Sequence, residues 1–312
     1  MKKFAPVLLV FFFSNAFSQS SLLKYGQAVM TSGNYLPDNW SFMVYDIRNN
    51  GTAVPGMNWM ASIYHPSGAA TDWKFSRTGP LFGITIDNSG NIFLASCKLL
   101  GAPYPPGTAG PGGVYKVDAF SWAVTDFITS DPVYVYNPST NKIPNHADGL
   151  GDICYDKYND QLFLTNFEDG KIYRISTSGT ILSVFDPFSP DLGIVAVADY
   201  GERCWAVNVY KDGLSNARLY FSRIGMDMCS AYTLPNEIWS VELDPLTGDF
   251  MGTEQLELFL DTSLATFKSP VSDICFDKAG NMYLAQRSNC GVTGLAHRGQ
   301  FQICARRQLL CF

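Results

Sequence analysis

Asp152 and Asp273 hold the same place in two copies of one short pattern, Gly151-Asp152-Ile153-Cys154-Tyr155-Asp156 and Ser272-Asp273-Ile274-Cys275-Phe276-Asp277. Paired carboxylates at matching positions are a candidate ligand set for a hard cation such as Ca²⁺, which gathers about six to eight oxygens. Asn166 and Glu168, past the first copy, are candidate further donors. The plainer role for both Asp is to cap strand ends or accept amides from a neighbouring sheet, since Asp is common at strand starts and turns. His146 lies two residues before Asp148 and is a candidate acid or base. No sequence motif gives it a partner constellation, so simple solvation is the competing reading. Tyr104, Tyr134 and Tyr136 fall in loop segments and suit contact with a protein or glycan partner. With His146 and Asp148 they make up the candidate partner-binding set.

The elements that must position these residues are strands. In Ser272–Ala285 the apolar residues Ile274 and Phe276 alternate with Cys275, Asp277-Lys278-Ala279-Gly280-Asn281 forms a turn, and Met282-Tyr283-Leu284-Ala285 returns. Alternation marks a strand, and Asp with Gly supplies the bonding and the positive φ of a tight turn. The same hairpin recurs as Gly83 to Ala95 and as Gly151 to Thr165, and more weakly as Ala206 to Ser222. A second strand pair follows each of the first three hairpins: Gly113 to Ile128, Gly170 to Phe185 and Glu237 to Leu260. Four strands per repeated unit is the blade of a β-propeller.

The sequence Asp-x-x-Gly-Asn, followed by Ile or Met, an aromatic, Leu and a small residue, resembles the hairpin of NHL-repeat and SMP-30/gluconolactonase-like propellers over most of residues 80–286. The resemblance implies an all-β propeller of four-stranded blades, six-bladed in its complete form and incomplete or open in this chain. It also implies a divalent metal in the central channel held by Glu, Asn and Asp. Asp152 and Asp273, with Asn166 or Glu168, are the candidates this chain offers for such a site, with Ca²⁺ as the candidate cation; the family's full ligand set is not recoverable, since the first-blade Glu has no convincing match.

In chain order, Met1-Lys2-Lys3 precedes a short apolar run from Ala5 to Phe13 and the small residues Ala16 and Ser18. This reads as a bacterial signal peptide over 1–18, and so as a secreted or periplasmic protein with no membrane span. Residues 19–78 are expected to give outer strands of an extra blade beside the last one, or else to leave the ring open. Blades occupy 79–290. Residues 291–312 lack alternation and turn chemistry and are expected to be irregular. Segments 98–112, 131–150 and 223–236 are long, and propeller connectivity predicts that all three emerge on one face, opposite the short turns. Functional residues gather on loops held by a rigid scaffold.

A net charge of −6 without basic clusters excludes nucleic acid as the expected partner. His-Glu-x-x-His, Gly-x-Ser-x-Gly, a Gly-rich phosphate loop and Cys-x-x-Cys are all absent, which removes the usual supports for zinc protease, serine hydrolase, nucleotide-binding and thiol-redox chemistry. The eight cysteines give no pairing from sequence alone. Two functions remain. One is a secreted binding or scaffold module using its long-loop face. The other is a metal-dependent lactonase-like hydrolase with a cation in the channel.

Overall fold

A computed structural model describes residues 23–31, 38–48, 62–64, 72–97, 105–133, 135–188, 197–213, 216–227, 234–260 and 269–287, and the backbone of 300–304. The expected signal peptide, Tyr104 and Tyr134 lie outside the described residues, as do all of 98–104 and 228–233.

Five antiparallel sheets follow one another along the chain. Sheet I joins β1 (Gln27–Thr31), β2 (Phe42–Asp46) and β3 (Ser62–Tyr64). A one-turn helix, α1 (Phe75–Thr78), leads into sheet II: β4 (Leu81–Ile86), β5 (Ile92–Ser96), β6 (Val114–Val117) and β7 (Val124–Ile128). A short parallel pair, β8 (Ser130–Asp131) and β9 (Ile143–Pro144), precedes sheet III: β10 (Leu150–Asp156), β11 (Gln161–Asn166), β12 (Ile172–Ser176) and β13 (Ile181–Phe185). Sheet IV holds β14 (Cys204–Asp212), β15 (Asn216–Arg223), β16 (Glu237–Leu243) and β17 (Phe250–Phe259). Sheet V holds β18 (Val271–Phe276), β19 (Met282–Gln286) and β20 (Gln300–Cys304). Every sheet runs in sequence order, first strand to last, as propeller blades do. Among the described residues no helix is long and apolar enough to cross a membrane.

The cores lie between sheets. Phe42 and Val44 of sheet I pack on Trp73, Leu81 and Leu94 at sheet II. Phe93, Ala95 and Val114 of sheet II meet Ile153, Leu162 and Leu164 of sheet III. Cys154 and Phe163 of sheet III meet Val207, Leu219 and Val241 of sheet IV. Ala206 and Ile238 of sheet IV meet Val271, Ile274 and Leu284 of sheet V. The middle strands are therefore covered on both faces. All six residues of β11 are buried, and the strand reads Gln-Leu-Phe-Leu-Thr-Asn with little polar alternation. The outer strand β13, by contrast, is buried fully only at Ile181.

Turn chemistry recurs in detail. Asp87 Oδ1 accepts from the Ser89 and Asn91 amides, and Oδ2 from Asn91 Nδ2. Asp277 takes the same set from Ala279 and Asn281. Gly90 and Gly280 sit at φ 85 and 84, where a side chain would be strained. A register shift also recurs at the start of each innermost strand: Leu81/Ile84, Leu150/Ile153, Cys204/Val207 and Val271/Asp273. Such bulges re-aim side chains near a sheet edge.

Two expectations need correction. Sheet I packs on sheet II, not beside the last blade, because Phe42 and Val44 find their apolar partners around Trp73. Among the described residues no buried cluster joins sheet I to sheet V, so the ring is open there, which is the alternative the sequence left. The tail is not irregular throughout: β20 pairs with β19 from Met282↔Cys304 to Gln286↔Gln300, supplying the third strand of sheet V. The free edge of β19 selects a partner that the tail's weak alternation did not announce.

Candidate functional site

The long loops do converge. Ser130, just past β7, donates its amide to Ala109 in the β5–β6 loop, and Cys97 bridges to Gly149. The Ala198 amide donates to the Glu168 carbonyl at 2.7 Å, and the Ile224 amide to the Arg203 carbonyl at 2.9 Å. One excursion breaks the expected segregation. Asn141, within 131–150, donates to the Gly179 carbonyl at 2.9 Å, and its side-chain oxygen accepts the Ile181 amide. Gly179 belongs to the short turn between β12 and β13, so this segment reaches past the edge of its blade to the short-turn side. Its two ends, at Ser130 and Asn145, remain among the long loops.

At the centre of the loop face is a built carboxylate site. Glu168 is buried, and its two oxygens accept the amides of His146, Ala147 and Asp148 at 2.8 to 3.1 Å. His146 Nδ1 lies 3.0 Å from Glu168 Oε1. Burial alone would raise this carboxyl; the successive amides and the His146 ring outweigh it and hold Glu168 below its ordinary value. Asn145 and Asn166 lock the base of the loop. Asn145 Nδ2 donates to Asn166 Oδ1 at 2.8 Å, and Asn166 Nδ2 donates to the Pro144 carbonyl at 2.8 Å. Asp148 pairs with Arg203 at 3.1 Å, and the Arg203 guanidinium stands 4.9 Å over Phe167 and 6.0 Å over Tyr200. Next to Glu168, Asp169 is buried and accepts the Tyr173 hydroxyl at 2.6 Å; burial pushes its carboxyl up to about 7.

The sequence-based site residues divide accordingly. His146, Asp148, Asn166 and Glu168 belong to one network, although their residue types had put them in two sets. Tyr136 is half-buried: its ring meets Tyr173 edge-on at 5.7 Å and packs against the sheet II–III core. Asn145, Arg203 and Tyr200 were missed; Asn145 lies within 131–150, and no sequence signal marked the other two.

Asp152 and Asp273 form a second locus at the starts of β10 and β18. Asp152 is buried, with Oδ1 accepting its neighbour Ile153's amide at 2.8 Å and Oδ2 accepting Val207's amide across the blade interface at 3.3 Å. These are the strand-capping and neighbouring-blade bonds. Burial first, and then the negative charge of Asp273, raise its carboxyl well above the ordinary value. Asp273 keeps an open path to water but is crowded by protein around it, and lost hydration raises it too. Gly83 makes room here: a Cβ would lie 2.9 Å from Asp152 Cα.

The two acids thus repel one another, which a cation would relieve. The rest of the expected donor set does not join them, since Glu168 is engaged by amides and Asn166 by Asn145 and Pro144. Among the described residues no group of three or more His, Cys, Asp or Glu is arranged to hold a metal ion. The expected four-donor set therefore reduces to two acids.

No family model matches the chain, and no curated protein matches it by sequence. Solved structures do. A nidogen/laminin complex is 10% identical at TM-score 0.46, with 83% of this chain and 73% of that chain covered. A regucalcin from Agrobacterium tumefaciens, described as a calcium-binding protein, is 14% identical at TM-score 0.45, covering 84% of this chain and 64% of that one. A Bacteroides thetaiotaomicron protein of unknown function is 13% identical at TM-score 0.44, covering 84% and 54%. The chain is similar to these in fold, and the five sheets described above, each in sequence order and packed face to face on the next, are the blades of a β-propeller that is open among the described residues.

Proposed function

We propose that this chain is an exported binding module that takes a protein or glycan partner on its long-loop face. The observation that carries the reading is the Glu168 site. One buried carboxylate fixes three consecutive loop amides and orients an exposed histidine. A loop ordered in advance loses less entropy when a partner arrives. The Asp148–Arg203 pair and Tyr200 extend the same surface with charge and an aromatic ring. Export rests on the basic and apolar pattern of residues 1–18.

The test is site-specific photo-cross-linking from position 146 and, as the opposite-face control, from position 89. Defined capture from 146 and none from 89 is the expected result. Equal capture from both, or capture from 89 alone, rejects the loop face as the partner surface.

A second reading, a divalent-cation-dependent lactonase-like hydrolase, is favoured by the mutual repulsion of Asp152 and Asp273. The cation would supply polarisation of an ester carbonyl. Millimolar calcium should then raise the melting temperature, with the increment lost in Asp152→Asn. A calcium-independent melt leaves only the capping role.

A further inference from the structure

The short-turn face carries a different chemistry. Counting along the innermost strands, with Asn208 and Cys275 matching Cys154, the residue three further on is Lys157 in sheet III, Lys211 in sheet IV and Lys278 in sheet V. In sheet II the corresponding residue is Asn88. The three lysines line one cavity of about 420 Å³, together with Tyr155, Tyr158, Tyr210, Asn208 and Asp277. A volume of this size falls in the range of small-molecule sites.

The charges in this cavity are unbalanced. Lys157 and Lys211 place their ammonium groups 5.2 and 5.4 Å from the centre of a single ring, that of Tyr158. A ring face offsets only part of the cost of bringing two cations together. Among the described residues none of the three lysines makes an ion pair. The single carboxylate in the lining, Asp277, is taken up by its own turn: it accepts from the Ala279 and Asn281 amides, from Asn281 Nδ2 and from the Tyr283 hydroxyl. Three lysines against one aspartate leave the lining at +2 (3 − 1) in a chain whose net charge is −6. Solvated lysines on a convex surface diverge; these converge on a concave site whose strand register repeats blade by blade.

We infer that this cavity binds a small organic anion with two or more negative charges, a phosphate ester or a polycarboxylate. The site is independent of the partner surface proposed above, since it lies on the opposite face. Three lysines around one pocket of about 420 Å³ suit a small anion better than a phosphate backbone, which needs a continuous basic track.

Calorimetric titration at low ionic strength with inorganic pyrophosphate and, separately, citrate tests this, with sodium chloride at matched ionic strength as the control. Saturable binding of at least one anion is expected, with affinity falling at least tenfold in K157Q/K211Q and also in K278Q, and recovering in K157R/K211R. Preference for pyrophosphate or for citrate distinguishes the phosphoryl from the carboxylate source. A second readout does not depend on the variants: Cys275 lines the cavity and is exposed, so bound anion should slow its alkylation by iodoacetamide, read by peptide mass spectrometry. No saturable binding beyond the salt control, or binding that persists unchanged in K157Q/K211Q/K278Q with an unaltered thermal melt, overturns the proposal.

Discussion

In β10 the run Asp152-Ile153-Cys154-Tyr155 has a sheet on either side, while in β18 the matching run Asp273-Ile274-Cys275-Phe276 has one on a single side among the described residues. Ile153 and Ile274, which face the preceding sheet in each case, are equally buried at 2% and 0% exposure. Residues facing the following sheet diverge. Asp152 is 6% and Cys154 5% exposed, whereas Asp273 and Cys275 are open to water. The environment of a blade residue is thus decided by the next blade, not by its own strand. Electrostatics follow burial: Asp152, enclosed between neighbouring sheets, is raised chiefly by lost hydration, while Asp273 retains contact with solvent.

The sharpest break of that comparison is a matched pair of truncations. Phe163 pairs with Cys154 and is fully buried between sheets III and IV; Tyr283 pairs with Cys275 on the open side of sheet V. Phe163→Ala should cost about 3–5 kcal/mol through lost burial and the cavity left behind. Tyr283→Ala should lower the melting temperature several times less, and equal losses would show that sheet V is covered. Next in size is thiol reactivity. In the native protein Cys275 should alkylate faster than Cys154 or Cys204 by on the order of a hundredfold, since the buried pair must wait for local opening. Comparable rates for all of them would remove the distinction.

The smallest effect is electrostatic. A carboxyl whose folded pKa lies above its unfolded value binds extra protons when folded, so its stabilising effect is present at low pH and is lost as pH rises through the folded pKa. Asp152 and Asp273 are both of this kind. Asp273→Asn should therefore raise the melting temperature at neutral pH, and the gain should vanish in acid where both acids are protonated. Solvent screening at Asp273 keeps the gain small, on the order of 0.5 kcal/mol. A loss at neutral pH instead would mean that the charge on Asp273 is wanted, as a bound cation would require.

Much of the architecture was legible because it is written locally. The Asp-x-x-Gly-Asn turns bond within five residues, and the alternation of Ile274 and Phe276 marks a strand on its own. What the sequence hid was set at long range or by backbone. Glu168 reaches residues 20 to 22 positions away, and three of its partners are amides that carry no sequence signal. Residue type suggested a metal ligand, whereas the loop amides made Glu168 a clamp. Nor did residue type show that Tyr173, 37 positions on, half-buries Tyr136 through an edge-on ring contact. Strand β20 forms because β19 offers an unpaired edge, which no reading of residues 300–304 by themselves would supply.

The loop clamp is the centre of this account, and amide hydrogen exchange measures it directly. His146, Ala147 and Asp148 should exchange slowly in the native chain although they lie in a surface loop. In Glu168→Gln the same three amides should exchange on the order of tenfold to hundredfold faster, while the amides of β11 keep their protection. Fast exchange of these amides in the unmodified chain, or no change on Glu168→Gln, would contradict the claim that one buried carboxylate organises the face.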